Sequence, residues 1–443
     1  MSTVSRHFVL AAGGTGGHLT PAFALAQELE RRGHQVALIT DARGAAIPGR
    51  PDFLETHVLP AGRFTRNPLG WLRAIAAVLK GRAQAKRLYR DFEPGAVVGF
   101  GGYPALPALL GARGAGVPTV IHEQNAVLGR VNRLLAGRVD AIATAYPDVQ
   151  RLSPKQAKKV HLVGNPVRAG VLSLRDEPYP TPGADTPLRV LVTGGSQGAR
   201  VLSQVVPEGF ALLPPALKAR LKVTQQCRPE DIDTVRARYA AEGIDAELAS
   251  FFEDMQARLA GTHLFIGRAG ASTIAELTAV GRPAILVPLP IATDDHQTAN
   301  ARELAEAGGA RAISQPAFTP QAVAQAVEEL AGDPEGLIAA AHASWKCGRP
   351  DAAKDLADLV ESFGGSPLMD VIRVGREPVR AVGATPVGAG ASTSSARADV
   401  VGISHNPLDQ RISASSARAD AAMISQDPLA LSLSKGARTG AAA

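Results

Sequence analysis

The chain has 443 residues, a formal net charge of +6 and a hydrophobic fraction of 45%, which together suggest two or three globular domains. Its two cysteines, Cys227 and Cys347, are too few for a disulfide framework or a four-cysteine zinc site. Only 4% of the residues are aromatic, so we expect no nucleic-acid partner, and the positive charge points to phosphates or anionic lipid.

Short apolar runs alternate with stretches of helix length in the first part of the chain. A helix is predicted over Pro21–Arg32, with Pro21 at its start and Gly33 just past its end. The alternation is typical of βα units around a parallel sheet. The predicted strands are His7–Ala12, Gln35–Thr40, Ala96–Phe100, Thr119–His122 and Val139–Ala143.

The same alternation starts again at Leu188, after a proline-rich stretch at residues 176–187 that predicts a linker. We therefore expect an α/β protein of two Rossmann-like doubly wound domains that face each other across a cleft, at residues 1–175 and 188–365. The predicted strands of the second series are Leu188–Thr193, Leu221–Gln225, His263–Ile266, Ala284–Val287 and Ala310–Ile313.

The composition changes at residues 366–443, which are rich in Ala, Ser, Gly and Arg. Ser392–Ile412 aligns without gaps to Ser413–Leu433, and two copies are too few for a solenoid. This composition predicts a disordered tail, to which we assign no function.

Each series opens with a strand that runs into a glycine loop, at residues 13–18 (Gly-Gly-Thr-Gly-Gly-His) and 194–198 (Gly-Gly-Ser-Gln-Gly). Glycines let a backbone approach a phosphate or sugar closely, and the following helix offers free N–H groups. The dinucleotide fingerprint fails because Leu19 occupies its last glycine position. Asp41, near the end of the second strand, leaves an NAD-binding interpretation open.

Histidine 18 directly follows the first glycine loop, so we expect its ring to project into the cleft. A histidine there can act as a general base near neutral pH. A capping or core histidine is the structural alternative, although the glycine-rich turn favours the catalytic role.

A third cluster spans Arg268–Glu276, where a strand, a glycine turn and a helix start follow one another. Ser272 and Thr273 would present hydroxyl and N–H groups to a diphosphate, and Glu276 could reach ribose hydroxyls. A capping box, formed by Ser or Thr with Glu, is the structural alternative.

Other polar runs follow predicted strands at His122–Asn125, Gly164–Arg168 and Asp294–Asn300. Ligands bind at the carboxyl ends of parallel strands, so these runs are candidate site segments. Asp231-Ile-Asp233 falls where a helix start is expected, and acidic residues there usually serve the helix dipole. We therefore expect no metal site.

The segment Arg63–Arg90 is basic and amphipathic. Its apolar residues could dock on a membrane while its basic residues meet anionic headgroups. A helix that buries its apolar stripe in the core is the other interpretation. The residues of this candidate membrane patch are Trp71, Leu72, Ile75, Val78, Leu79 and Lys80.

Together these motifs resemble the MurG family of bacterial cell-wall N-acetylglucosaminyltransferases over residues 5–362. The motifs that carry the resemblance lie at residues 13–18, 101–103, 122–125, 164–168, 194–200 and 268–276. The resemblance implies two domains of the GT-B type and an inverting transfer of GlcNAc from UDP-GlcNAc to undecaprenyl-diphospho-MurNAc-pentapeptide. That reaction would take place peripherally at the cytoplasmic face of the inner membrane, and it would use no cofactor.

The resemblance also implies roles for individual residues. His18 matches the base or substrate-orienting histidine of the family. A hydrophobic position of the uracil pocket falls on Phe252. The substrate-binding positions fall on Thr15, Gly16, Gly17, Asn125, Arg168, Ser196, Gln197, Phe252, Ala271, Ser272, Thr273, Ile274, Ala275, Glu276 and Gln297.

Three other functions stay open at this point. A UDP-GlcNAc 2-epimerase, or another UDP-sugar transferase of the same fold, would share the donor site but not the lipid acceptor. An NAD-dependent oxidoreductase is disfavoured by the failed glycine fingerprint. A non-catalytic nucleotide-sugar sensor would bind the donor without turnover.

Overall fold

The computed structural model describes residues 5–14, 16–60, 62, 68–183, 186–195 and 198–363. The predictions for Thr15, Ser196, Gln197 and residues 366–443 concern positions outside this set, as does the beginning of the basic segment at residues 63–67.

The first half forms a seven-stranded parallel sheet in the order β3-β2-β1-β4-β5-β6-β7. The central strand β1 pairs on both sides, with Phe8 opposite Val36 and Ala96. Its strands are β1 (His7–Ala11), β2 (Gln35–Thr40), β3 (Glu55–Val58), β4 (Ala96–Gly99), β5 (Thr119–Glu123), β6 (Ala141–Thr144) and β7 (Val160–Leu162).

Helices cover this sheet. They are α1 (Gly16–Arg31), α2 (Ala42–Ala45), α3 (Pro68–Phe92), α4 (Ala105–Arg113), α5 (Arg130–Leu135) and α6 (Pro154–Ala157). The next helix, α7 (Ala169–Leu172), packs with the second half instead, because its Val171 is buried in one apolar cluster with Leu191 and Leu277.

The second half forms a six-stranded parallel sheet in the order β10-β9-β8-β11-β12-β13. Its strands are β8 (Leu188–Thr193), β9 (Leu221–Gln226), β10 (Asp245–Ala249), β11 (Leu264–Gly267), β12 (Ala284–Leu286) and β13 (Ala310–Ala312). Its helices are α8 (Arg200–Ala211), α9 (Pro215–Arg220), α10 (Ile232–Ala241), α11 (Met255–Gly261), α12 (Ala271–Val280), α13 (His296–Glu306), α14 (Pro320–Ala331), α15 (Pro334–Cys347) and α16 (Ala352–Phe363).

Both sheets are doubly wound, which confirms the predicted fold class. The strand order reverses between β1 and β4 in the first sheet and between β8 and β11 in the second. Ligands of such sheets bind outside the carboxyl ends of the strands at this switch point. The glycine loops after β1 and β8 and the turn after β11 therefore start where a ligand is expected.

Two local predictions differ from the structure. The helix α1 begins at Gly16 and contains Pro21, so the predicted start at Pro21 is wrong; the glycines before it carry no helix signal in the sequence. The strands β3, β7 and β10 were not predicted, because each lies at the edge of its sheet with partly exposed side chains and has no continuous apolar run.

The last described helix, α16, returns to the first sheet. Its Leu356 and Val360 are fully buried in one apolar cluster with Phe8 and Leu25. At its end, Glu361 accepts hydrogen bonds from Arg32 at 2.9 Å and pairs with His34 at 2.7 Å. The sequence boundaries assigned residues 352–363 to the second domain, whereas their packing completes the core of the first.

This packing makes Leu356→Ala a sensitive substitution. We expect the free energy of unfolding to fall by about 2–5 kcal/mol, because the shorter side chain leaves a cavity in the core of the first sheet. Urea denaturation, monitored with a probe that reports unfolding of the first domain, measures this loss. Leu134→Ala is the matched control, since Leu134 is 56% exposed. A midpoint equal to that of the control would show that α16 does not support the first core.

Candidate active site

The glycine loop after β1 contacts the loop after β4 without space for side chains. A Cβ on Gly13 would lie 2.4 Å from Pro104 Cδ, and one on Gly102 would lie 2.8 Å from the Gly13 carbonyl oxygen. Gly101 has a φ of +92°, and a Cβ there would lie 3.1 Å from His18 Cε1. The glycines thus let two loops meet and seat His18 against them.

His18 lies in the first turn of α1 and is partly exposed. Loss of hydration is the largest effect on its imidazole and lowers its pKa below the ordinary 6.5. A hydrogen bond with Gln124, the charge of Glu123 and the Phe100 carbonyl act in the opposite direction, while His296 lowers the pKa further. The ring is therefore neutral at pH 7, as a general base must be.

A buried carboxylate shapes the loop after β5. Glu123 is 2% exposed, and its Oε1 accepts hydrogen bonds from the N–H and the side-chain amide of Asn125 at 3.1 and 3.2 Å. Its Oε2 accepts from the N–H of Gly129 at 2.7 Å and from Asn132 Nδ2 at 2.9 Å. Because four donors bond this one buried carboxylate, Glu123 holds Asn125 in a fixed position.

Asn300 joins the two halves of the chain at the same place. This fully buried residue accepts a hydrogen bond from the Ala126 N–H at 2.8 Å. Its amide donates to Asn125 Oδ1 at 3.0 Å and to the Ala269 carbonyl at 3.2 Å. Asn125 therefore lies where the first half of the chain meets the turn before α12.

A second polar contact between the halves involves Asp294, whose carboxylate accepts from Arg133 at 2.7 Å and pairs with Arg151 at 3.0 Å. Asp294 has a φ of 58°, a conformation that aspartate tolerates better than most residues. Together with Asn300, it fixes both ends of the segment 294–300 that the sequence marked as a candidate site.

The helix α12 presents its N-terminus at the carboxyl edge of the second sheet. Gly270 is its N-cap and makes no side-chain hydrogen bond, so the capping box considered from sequence is absent. The first-turn N–H groups, which begin at Ala271, are available to an anion. The Ser272 hydroxyl is buried and has no hydrogen-bond partner among the described residues.

Arg168 and Glu276, two residues assigned to one site by resemblance, are in contact. Glu276 Oε1 accepts from Arg168 Nη2 at 2.8 Å and from Nε at 3.2 Å. Arg168 is the N-cap of α7, whose Val171 is buried in one apolar cluster with Leu277 of α12, so this pair lies on the second core. The Arg168 side chain is 47% exposed, so a bound ligand can reach the guanidinium and replace Glu276 as its partner.

The remaining candidates differ in how their side chains lie. Gly16 and Gly17 form the N-terminus of α1. Gln297 Oε1 accepts from the Leu289 N–H at 3.0 Å and thereby holds the loop after β12.

The apolar and hydroxyl candidates differ in burial. Ile274 is buried in the core. Thr273 and Ala275 are partly exposed. Phe252 is 6% exposed, with the Arg258 guanidinium 4.2 Å from its ring centre.

Sequence reasoning named the polar runs but did not single out three of their members, Glu123, Gln124 and Asn300. Each is almost fully buried and bonds other site residues. The signal was present in the sequence as charged and amide residues at the ends of apolar strands. Which of them point inward, however, depends on contacts between distant segments.

Within the described ranges, no three His, Cys, Asp or Glu side chains are grouped closely enough to hold an ion. Asp231 is the N-cap of α10 and Asp233 lies in its first turn, as the sequence suggested.

From Pro68 onward, the basic amphipathic segment lies in α3. Trp71, Leu72, Ile75 and Leu79 are exposed by 52%, 66%, 44% and 57%, so the interpretation of a stripe buried in the core is wrong for these four. Val78 is partly buried, and Lys80 is exposed. Along the described ranges, no helix is both long and apolar enough to cross a membrane.

The comparisons with known proteins agree with this architecture. The glycosyltransferase family 28 N-terminal domain matches residues 8–144, and the C-terminal domain of that family matches residues 189–357. A protein of Erythrobacter litoralis (strain HTCC2594) is 68% identical over 89% of this chain and 100% of its own length. One of Novosphingobium aromaticivorans is 71% identical over 84% of this chain and 96% of its own.

Both relatives are named UDP-N-acetylglucosamine–N-acetylmuramyl-(pentapeptide) pyrophosphoryl-undecaprenol N-acetylglucosamine transferase. The crystal structure of Acinetobacter baumannii MurG is also similar, with a TM-score of 0.66 and 30% identity over 81% of this chain and 99% of that one. The chain belongs to glycosyltransferase family 28, with both domains of that family in order.

Proposed function

We propose that this enzyme transfers GlcNAc from UDP-GlcNAc to the C4 hydroxyl of MurNAc in undecaprenyl-diphospho-MurNAc-pentapeptide, which converts lipid I to lipid II in peptidoglycan synthesis. The observation that carries the proposal is the identity of 68% over the full length of a relative named for this transfer. The contacts around Asn125, Arg168 and Glu276 support it, because they bring the candidate donor-binding segments together.

Under this proposal the donor binds at the second sheet. The first-turn N–H groups of α12 and the Arg168 guanidinium face the diphosphate, and Glu276 hydrogen-bonds the ribose. As the glycosidic bond breaks, UDP gains charge, and these groups stabilise it without a metal. Asn125, Gln297 and the glycine loops complete the donor site, and Phe252 or its neighbour contacts the uracil. No cofactor enters the reaction.

The acceptor binds on the first domain, over the glycine loop and His18. Its C4 oxygen attacks the anomeric carbon from the face opposite UDP, so a new C–O bond forms as the bond to UDP breaks. The transition state resembles an oxocarbenium ion. His18 takes the hydroxyl proton, and the electron pair of the broken bond leaves with UDP. Configuration at the anomeric carbon inverts.

The assignment gives each part of the chain a task. Residues 1–175 form the acceptor-binding and membrane-facing domain, 176–187 the linker, and 188–365 the donor domain. Two helices cross these bounds, since α7 packs with the donor domain and α16 returns to the first sheet. The acceptor lipid stays in its bilayer, so the enzyme works as a peripheral protein at the cytoplasmic face of the inner membrane. Its product serves cell-wall growth, and hence cell shape and division.

The exposed apolar side chains of α3 are the docking surface. Trp71, Leu72, Ile75 and Leu79 are exposed, and Arg73 and Lys80 are exposed on the same helix. Apolar side chains enter the headgroup region while basic ones meet anionic lipid. This arrangement supports an interfacial helix.

A transfer assay with labelled UDP-GlcNAc and lipid-linked acceptor tests the activity and the role of His18 together. Wild type should move label to lipid only when the acceptor is present. His18→Ala should lower kcat roughly 100- to 10,000-fold with little change in donor affinity, because a general base contributes that much. Epimerised donor without acceptor would favour the epimerase, and wild-type turnover by the variant would remove His18 as base.

Glu276→Ala should weaken UDP-GlcNAc binding roughly tenfold or more in calorimetry, since a hydrogen bond to a charged group contributes about 1.5–3 kcal/mol. Arg168→Ala and the double variant Arg168→Ala/Glu276→Ala complete a double-mutant cycle. The cycle separates the effect of losing the ribose contact from the effect of breaking the ion pair. Glu329→Ala is the control, because Glu329 also pairs with an arginine, Arg311. Unchanged affinity in Glu276→Ala would contradict the ribose role.

Membrane docking is tested with Leu72→Ser/Leu79→Ser. Its binding to vesicles that contain anionic phospholipid should fall roughly tenfold or more, because each leucine loses up to about 1.5–3 kcal/mol of burial. Turnover of a water-soluble, short-chain acceptor should stay unchanged. Leu212→Ser is the control, since Leu212 is 55% exposed on the other domain. Equal binding of both variants would place the docking surface elsewhere.

A further inference from the structure

Three hydrogen bonds run in line from His18 into the protein. His18 Nδ1 lies 3.1 Å from Gln124 Oε1, and Gln124 Nε2 lies 2.9 Å from His122 Nδ1. His122 Nε2 in turn lies 2.8 Å from the carbonyl oxygen of Gly164. Gln124 is 1% exposed and His122 is fully buried, so water does not compete for the inner part of this chain.

The Gly164 carbonyl determines which atom donates and which accepts in each of these three hydrogen bonds. A carbonyl oxygen only accepts, so His122 Nε2 carries a hydrogen and donates it to Gly164. Neutral imidazole has one N–H, so His122 Nδ1 is an acceptor and receives the amide hydrogen of Gln124. The amide oxygen of Gln124 then faces His18 Nδ1, and it also only accepts. His18 Nδ1 therefore carries the hydrogen, and Nε2 holds the lone pair.

The opposite orientation of the Gln124 side-chain amide, with its oxygen and nitrogen exchanged, does not fit the site. With Oε1 toward His122 Nδ1, both nitrogens of His122 would have to donate, and the ring would be charged. Burial, the largest effect, lowers the pKa of His122 to about 4, so the charged form is disfavoured at neutral pH. The reversal would also place Oε1 against the His122 carbonyl, which now accepts from Nε2 at 3.1 Å. Both contacts favour the same orientation.

We propose that Gln124 and His122 are positioning residues that hold His18 as its Nδ1–H tautomer, with Nε2 as the proton acceptor. The inference rests on the proposed function, because it assigns the atom of His18 that accepts the proton of the acceptor hydroxyl. That proton moves to Nε2 as the new C–O bond forms and the bond to UDP breaks. Nδ1–H stays bonded to Gln124 throughout.

This arrangement matters because free neutral histidine in water prefers the other tautomer, with hydrogen on Nε2. A base in that form would present an N–H to the acceptor hydroxyl and could not take its proton. The buried chain reverses the preference before substrate arrives, and the Gln124 oxygen also stabilises the imidazolium that forms. A neutral amide does so without adding charge to the interior.

Other titratable groups also act on His18. Glu123 raises its pKa, while His296 on α13 lowers it, and the Phe100 backbone raises it through hydrogen bonding. A carbonyl only accepts, so in the proposed tautomer the Phe100 oxygen acts on the same Nδ1–H that bonds Gln124. His122 is electrostatically coupled to His18 as well. The net shift is downward, so the neutral base persists below pH 6.5 and activity is lost only when acid protonates Nε2.

The first test reads the tautomer directly. Nitrogen-15 NMR of the full chain labelled at histidine, with His18→Gln used to identify the resonances, should show hydrogen on Nδ1 of His18. Gln124→Met should move His18 toward the Nε2–H form, and Gln325→Met, at an exposed glutamine, should not. Hydrogen on Nε2 in wild type would overturn the inference, whatever the activity of any variant.

Kinetics give the second test. Gln124→Met should lower kcat roughly 10- to 1000-fold with KM for UDP-GlcNAc within about twofold, because it removes the alignment of the base and no donor contact. A rise in KM with unchanged kcat would contradict the positioning role. If His18→Ala were fully active while NMR showed Nδ1–H, the proposed base would fail and the tautomer assignment would stand.

Gln124→Glu separates positioning from mere structural support. A carboxylate accepts from Nδ1–H as the amide does, and its charge stabilises the imidazolium and raises the pKa of His18. The base is then lost at higher pH, so the acid limb of the kcat profile should move upward, with turnover above that limb closer to wild type than in Gln124→Met. An acid limb at the wild-type position would contradict the contact between residue 124 and the base.

Discussion

The close approach of two loops at the switch point of the first sheet is the constraint on which the site depends. The loop after β1 and the loop after β4 touch through glycine, because a side chain at Gly13 or Gly102 would overlap its neighbour. Beside this contact, His18 in the first turn of α1 bonds Gln124, which directly follows β5. A parallel sheet brings these three strand ends to one edge, and small residues let them come close enough to share one set of hydrogen bonds.

The second constraint is the set of polar contacts between the halves. Asn300 bonds both Asn125 and the turn before α12, and Asp294 pairs with Arg133 and Arg151. These bonds bring the loops of the first sheet next to the helix N-terminus that is suited to a diphosphate. Because buried amides and carboxylates must be paired, their partners specify one relative placement more strictly than apolar contact would.

The alternation of apolar runs and helical stretches was enough to predict both sheets, since buried parallel strands are continuous apolar runs in sequence. The edge strands β3, β7 and β10 were missed because their exposed side chains break that pattern. The candidate site motifs were chosen because glycines, histidines and acids followed predicted strands. The roles of Glu123, Gln124 and Asn300 depend on bonds between residues far apart in sequence, which no local pattern contains.

The return of α16 to the first sheet makes the second domain an insertion within the first. Two chain crossings then link the halves, so any hinge motion must bend both at once, which restricts the axes about which the cleft can close. The return also affects folding during synthesis. Domains usually fold as they leave the ribosome, in order from the N-terminus. Here the apolar surface around Leu25 stays uncovered until Leu356 has been made, so the first domain completes its core only after the second has been synthesised.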